Sequence, residues 1–271
     1  MYTLNRVSRV RIPLSPLSLG KIINTTKLLY LSNMSQLICD SHVVEVQREN
    51  DRDIIILDQT VFYPQGGGQP YDQGTISGSI GAFKVQEVRF VDGIVKHIGN
   101  FVDGILKVQD KVSCIVDEKR RNLNAKLHSA GHIIDMVVSK LNLPWAPGKG
   151  FHFPDGPYVE YSGALEQKNI ENLAKNIECQ VNQLIEQKIP VEIKFVTKDQ
   201  VHLFSRFSTQ NLPDNKPIRI VLYNDFGTPC GGIHVKNSAE IGNIIIRKIK
   251  IKGNIIRVSY DVLDENNKLL K

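Results

Sequence analysis

Two pairs of side chains in this 271-residue chain have spacings suited to metal binding. His128 and His132 stand four apart in a proline-free stretch, 117–142, where Leu123, Leu127, Ile134, Val137, Val138 and Leu141 recur at helical spacing. Their imidazoles therefore project from one helix face about one turn apart, and can share one ion. Cys230 and His234 form the second pair, in the run Gly227-Thr228-Pro229-Cys230-Gly231-Gly232-Ile233-His234. Its glycines let a loop wrap closely around a ligand. Together the pairs make a His₃Cys set suited to tetrahedral zinc, with a closed shell if all four bind and a water position if three do. The histidine pair taken alone also reads as two helix-surface residues. Cys230 has a second reading, as a covalent nucleophile. His152 and Glu160 are candidates for proton transfer beside plain structural roles, and Cys39, Cys114 and Cys179 read as inert buried thiols.

The elements that must position these groups fall into two regions. From residue 34 to 115 the pattern is β. Val43 to Val46 and Ile54 to Leu57 flank a polar run, and Ala82–Phe90 and Ile94–Ile98 flank Val91-Asp92-Gly93. Short strands with regular turns predict a small barrel. Between the hairpins lies a Gly-rich segment, Phe62 to Gly74, which lacks the Gly-Lys-Ser/Thr ending of a phosphate-binding loop. Residues 116–271 read as an α+β domain. A first helix is ended by Pro144 and Pro147, a strand lies near Tyr158–Tyr161, and a second helix runs near Glu166–Gln187. Strands at Ile241–Ile251 and Ile255–Leu263 meet at Lys252-Gly253-Asn254.

Composition narrows the class. The chain is 41% hydrophobic and 23% charged, which is globular and excludes a disordered tail, a fibre or a coiled coil. No run of about 18 apolar residues is present, so no membrane-spanning helix is expected. Four scattered cysteines suggest a reducing compartment, the cytoplasm. The formal net charge is +6, but residues 1–33 hold Arg6, Arg9, Arg11, Lys21 and Lys27 and no acid. The remainder is nearly balanced, so global charge is no evidence for a nucleic-acid partner. Residues 1–33 read as an extension, either a transit-like peptide or the product of a start codon placed upstream of Met34. Codons compatible with Val10-Arg11-Ile12-Pro13 match the common T-arm of a tRNA gene.

Phe62-Tyr63-Pro64-Gln65-Gly66-Gly67-Gly68-Gln69-Pro70, Asp72 and Gly74, then His128-x-x-x-His132, then Cys230-Gly231-Gly232-x-His234 occur in that order. The series resembles the free-standing alanyl-tRNA editing proteins (AlaX), in their longer form with an N-terminal barrel, and the editing domain of alanyl-tRNA synthetase. The resemblance covers about residues 38–265. It implies an α+β zinc-containing editing domain behind a small β-barrel, with zinc held by His128, His132, Cys230 and His234. It also implies hydrolysis of tRNA(Ala) mischarged with serine or glycine. A zinc-ordered tRNA-binding module and a detached synthetase remnant are the alternatives. Departures from the usual pattern are Ser129 after the first histidine, Ile233 in the loop, and Pro147-Gly148-Lys149-Gly150.

Alanine is smaller than serine, so size cannot protect correctly charged tRNA. A polar partner satisfied by the serine hydroxyl and left unpaired by alanine can. Ser129, Gln69 and Thr228 are the candidates for that role. Local basic candidates for tRNA contact are Lys119, Arg120, Arg121 and Lys126, and the alternating Lys248, Lys250 and Lys252.

Overall fold

Asn50 and Asp51 both have positive φ, 49° and 61°, the left-handed pair that a two-residue hairpin loop needs to match strand twist. They join two long strands in the computed structural model, which describes residues 25–164, 170–207, 209–210 and 212–270. The polar run expected as a turn is mostly strand. A two-residue β1 (Lys27–Leu28) precedes β2 (Ile38–Glu49) and β3 (Arg52–Leu57), followed by the short β4 (Gln59–Thr60), β5 (Gly74–Ser77), β6 (Gly81–Val91), β7 (Ile94–Gly104) and β8 (Lys111–Val116). Asp92 and Gly93 turn β6 into β7 by the same left-handed geometry. The strands close in the order β2-β3-β7-β6-β5-β8. Closure leaves no free edge and buries Val43, Ile55, Leu57, Ile76, Phe83, Val85 and Cys114 inside.

Helix α1 (Glu118–Lys140) follows directly. Asp117 caps it by accepting from the Arg120 amide, and Lys140 lies in its last turn. It stops before the prolines, where Asn142 turns left-handed at φ 50°. From Asn124 to Val138 it is buried almost all round, as a central helix must be. β9 (Trp145–Phe151), which Pro147 and two glycines hide in the sequence, is the edge of a four-stranded sheet ordered β14-β15-β10-β9, where proline is tolerated. The sheet is completed by β10 (Tyr158–Gly163), β14 (Asn243–Lys252) and β15 (Ile255–Leu263). α1 packs on β10 and β15, and α2 (Ile170–Glu186) packs on β14. β11 (Val191–Val196), β12 (Ile218–Tyr223) and β13 (Phe226–Pro229) form a second, antiparallel sheet. β13 delivers the chain into the Cys230 loop.

Residues 26–33, read from the sequence as part of an extension, pack against the body. Thr26 Oγ1 donates to the Leu57 carbonyl and accepts from the Val95 amide, both at 3.1 Å. Tyr30 is 3% exposed and meets Tyr63 edge-on. Residues 1–24 lie outside the described part. A buried ion pair joins the two regions: Arg121, on the first turns of α1, holds Asp72 and also donates to the carbonyls of Val61 and Met34. Among the described residues no helix is long and apolar enough to cross a membrane.

Candidate metal centre

α1 and the loop after β13 bring His128, His132, Cys230 and His234 together, with one donor atom of each within 4.8 Å of the others. The Cys230 Sγ lies 3.4 Å from His128 Nε2 and 3.5 Å from His234 Nε2. Donors on a tetrahedral zinc with ordinary bond lengths sit about 3.3–3.8 Å apart, so those two separations fit that ion. Nitrogen and sulfur donors without a carboxylate are also what zinc prefers.

Two of the three imidazoles, those of His128 and His234, are held from behind through Nδ1. Gln69, in the Gly-rich loop of the barrel region, places Oε1 2.7 Å from His128 Nδ1 and 2.9 Å from the Ile233 amide. An amide N–H can only donate, so that side-chain atom is the oxygen and His128 Nδ1 carries the proton. His128 Nε2 is left as the lone pair beside Cys230. His234 Nδ1 lies between Ser129 Oγ (3.3 Å) and Tyr223 OH (3.2 Å). Such outer contacts set both tautomer and ring orientation of metal ligands. His132 Nδ1 is buried without a hydrogen-bond partner among the described residues. The loop approaches so closely that a Cβ on Gly232 would stand 2.1 Å from His128 Cε1, so only glycine fits there.

Burial holds all three imidazoles neutral. His128 and His234 titrate well below the ordinary histidine range and His132 at about 3, with neighbouring histidines and Arg219 adding to the effect of burial. Neutral imidazole is the form that binds metal. Burial pushes the Cys230 thiol up, opposed by the Gly232 amide and by Arg219. A raised thiol is a poor nucleophile, and as a ligand it would bind as the thiolate, releasing its proton to the bulk. The buried Arg219 donates to the carbonyls of Cys230, Gly232 and Leu31, pinning the loop to the segment before Met34.

A cavity of about 480 Å³ opens beside the cluster, lined among others by His128, His132, Asp135, His152, Thr228 and Cys230. A larger one, about 900 Å³, touches only His234 of the four donors, and the chemistry belongs to the smaller. His152 stacks on His128 with centroids 4.5 Å apart. Its Nδ1 is 2.7 Å from Tyr260 OH, whose proton goes to the Leu127 carbonyl. Tyr260 must therefore accept, His152 carries its proton on Nδ1, and Nε2 is the ring's acceptor. Burial lowers His152 to about 4.

The other sequence candidates divide. Thr228 lines the cavity, and its buried Oγ1 has no hydrogen-bond partner among the described residues. Ser129 is fully buried behind His234, its hydroxyl accepting from the Val235 amide at 3.1 Å. Neither Ser129 nor Gln69 lines the cavity. Glu160 is on its wall, paired with Arg257 at 2.7 Å. Two expectations are corrected. Arg121 is no surface cation, because its guanidinium is buried against Asp72. Cys179 is exposed on α2 rather than buried. Cys39 and Cys114 are buried as expected, facing each other across β2 and β8. Lys248, Lys250 and Lys252 do alternate outward. Sequence reasoning missed Asp135, Tyr161, Tyr223, Arg219 and Tyr260. Asp135 had a signal: it stands three residues past His132 and seven past His128, on the same helix face.

The family model for class II (A) tRNA synthetases matches residues 19–120. The chain is 36% identical over 227 residues to the alanyl-tRNA editing protein AlaX-M of Methanosarcina barkeri, covering 80% of this chain and 92% of that protein. It is 32% identical over 238 residues to AlaX-L of Pyrococcus horikoshii, covering 86% of this chain and 58% of that protein. It is also 29% identical over 248 residues to the alanine–tRNA ligase of M. barkeri, of which it spans 26%. The chain thus spans little more than half of the AlaX-L relative and about a quarter of the ligase. With the Gly-rich loop, the helix histidines and the Cys-Gly-Gly-x-His loop assembled around one centre, this chain belongs to the alanyl-tRNA editing protein family.

Proposed function

We propose that the protein is a trans-editing hydrolase that cleaves the ester of mischarged tRNA(Ala), chiefly Ser-tRNA(Ala) and also Gly-tRNA(Ala), in a zinc-dependent and ATP-independent reaction in the cytoplasm. The observation that carries the reading is the convergence of His128, His132, Cys230 and His234 on one centre, the first three of them on the wall of a cavity that also holds the Thr228 hydroxyl, unpartnered among the described residues. An aminoacyl ester is already activated, so the site needs mainly a positioned water and support for the developing oxyanion. Zinc, when bound, supplies Lewis-acid polarisation. The chain's own residues do the rest. Gln69 and the Ser129–Tyr223 pair orient His128 and His234. His152 Nε2 is the neutral acceptor available to take a proton from water. Thr228 Oγ1 reads the serine hydroxyl, and stays unpaired when alanine enters. The exposed Lys119, Lys149, Lys248 and Lys250 offer phosphate contacts, so binding weakens as salt rises.

The test is release of radiolabelled serine from Ser-tRNA(Ala), with Ala-tRNA(Ala) as the control. Zinc-dependent release of serine and sparing of alanine are expected. Zinc-bearing protein that binds the tRNA without hydrolysing it would leave the binding-module reading instead.

A further inference from the structure

The cavity wall carries two carboxyl groups with very different surroundings. Glu160 is neutralised, with its Oε1 held by Arg257 from Nε at 3.0 Å and from the terminal guanidinium at 2.7 Å. Among the described residues Asp135 has no cationic partner. Its Oδ1 accepts from the Tyr161 hydroxyl at 2.6 Å, and among the described residues Oδ2 makes no hydrogen bond or ion pair. Lys149 lines the same cavity but is exposed and not paired with Asp135. Tyr161 is 1% exposed, so its hydroxyl is a fixed post that sets the carboxyl rotamer. Asp135 shares a helix face with His128 and His132, one turn beyond the second, which sets the carboxyl beside the metal centre on the same wall.

We infer that Asp135 is the anchor for the α-ammonium of the aminoacyl group, a specificity-determining contact that admits free aminoacyl esters and rejects N-acylated ones. The inference rests on the deacylase reading and deepens it. Every aminoacyl ester carries this ammonium beside the scissile carbonyl, whatever its side chain. A carboxylate with one oxygen fixed and the other open is the group that fits it. A peptidyl ester has an amide at that atom, with no charge to offer, and would leave the carboxyl desolvated without a partner. Burial pushes the Asp135 carboxyl up to about 7, against the pull of Tyr161. A cation seated there restores the carboxylate, so the site is poised for a cationic guest. Recognition is then split between two walls: Thr228 reads the side chain and Asp135 reads the amine.

The experiment compares seryl-tRNA(Ala) with N-acetylseryl-tRNA(Ala) in wild type and Asp135→Asn, alongside zinc content. Binding of 3′-deoxy-3′-(seryl)aminoadenosine and its N-acetyl form, which resist hydrolysis, is measured in parallel. Loss of one charge-assisted contact corresponds to about tenfold to hundredfold. Wild type should prefer the free amine by that factor in kcat/KM and in Kd. Asp135→Asn should lose the preference by losing the free-amine substrate, with the acetylated one and the zinc content unchanged. A parallel drop for both esters, or no change for either, overturns the inference. Should Asp135→Asn fail to fold, wild-type binding still decides, since equal affinity for the two analogues also overturns it. If wild type hydrolyses neither ester, the deacylase reading fails, while the binding arm continues to judge Asp135.

Discussion

Replacing Gln69 by leucine should weaken zinc binding while leaving all four ligands in place. Its Oε1 accepts from His128 Nδ1 at 2.7 Å and from the Ile233 amide at 2.9 Å, and both donors are buried. Leucine fills the volume but orphans both. Each neutral hydrogen bond contributes about 1 kcal/mol net, and more when the abandoned donor stays buried. One loss frees the His128 ring to rotate or change tautomer; the other loosens the loop between Cys230 and His234. Outer partners of this kind are worth about tenfold to hundredfold in metal affinity, or about 1.4–2.8 kcal/mol. The assay is competition for zinc against a chromophoric chelator at neutral pH, with Cys230→Ala as the benchmark for a lost ligand. Gln69→Leu should fall between wild type and that benchmark, and Gln69→Glu, which keeps an acceptor at the same reach, should recover most of the difference. Zinc affinity of Gln69→Leu within twofold of wild type would show that the His128 contact does not orient the ligand.

Thr228→Val removes a hydroxyl without changing shape; kcat/KM for the seryl ester should fall about tenfold or more, with the alanyl ester unchanged, and equal loss for both would locate the hydroxyl reader elsewhere. His97 sits in the barrel core between Thr60 Oγ1 (2.8 Å) and the Ile55 carbonyl (3.0 Å), and burial lowers it to about 4. The unfolded chain therefore binds the proton first. This contribution is complete above about pH 6.5 and is lost as pH falls toward about 4, so urea titrations at pH 7 and pH 4.5 should differ by about 2–3 kcal/mol less in His97→Gln than in wild type; identical pH slopes refute it. Starting the chain at Met34 removes Thr26 and Tyr30 and strips the Leu31 carbonyl from Arg219. Burial of Tyr30 alone is worth about 2–3 kcal/mol, so the melting temperature should drop by about 5 °C or more; unchanged melting would make residues 26–33 a passive attachment.

What could be read from the sequence was whatever depends on local spacing. The His128–His132 pair follows from helical periodicity, and the Cys230 loop from its glycines. The barrel hairpins follow from alternation around Asp92-Gly93. What stayed hidden depends on distant partners. Gln69 and Ser129 stand out as polar side chains, but Gln69 Oε1 and the Ser129 hydroxyl are committed behind the imidazoles, and nothing local reports contacts 59 and 105 residues away. Arg121 sits in a basic run whose other members reach the surface; Asp72, 49 residues earlier, is what draws it inside. Asp135 was within reach of periodicity, yet an acid on a helix ordinarily reads as solvated. β9 was concealed because Pro147 suits an edge strand, and edges are set by the assembled sheet.

The Arg121–Asp72 pair has a consequence for how the chain can be taken apart. Divided between residues 115 and 116, where composition changes, one fragment keeps a desolvated carboxylate and the other a desolvated guanidinium. Gln69 goes with the first and His128 with the second. The compositional seam is therefore not a mechanical one. Opening either hydrophobic core uncovers a charge that the other was built to match, which couples the two in a single cooperative unfolding event. Occupancy of the metal centre should then protect slowly exchanging amides deep in the barrel, far from any ligand.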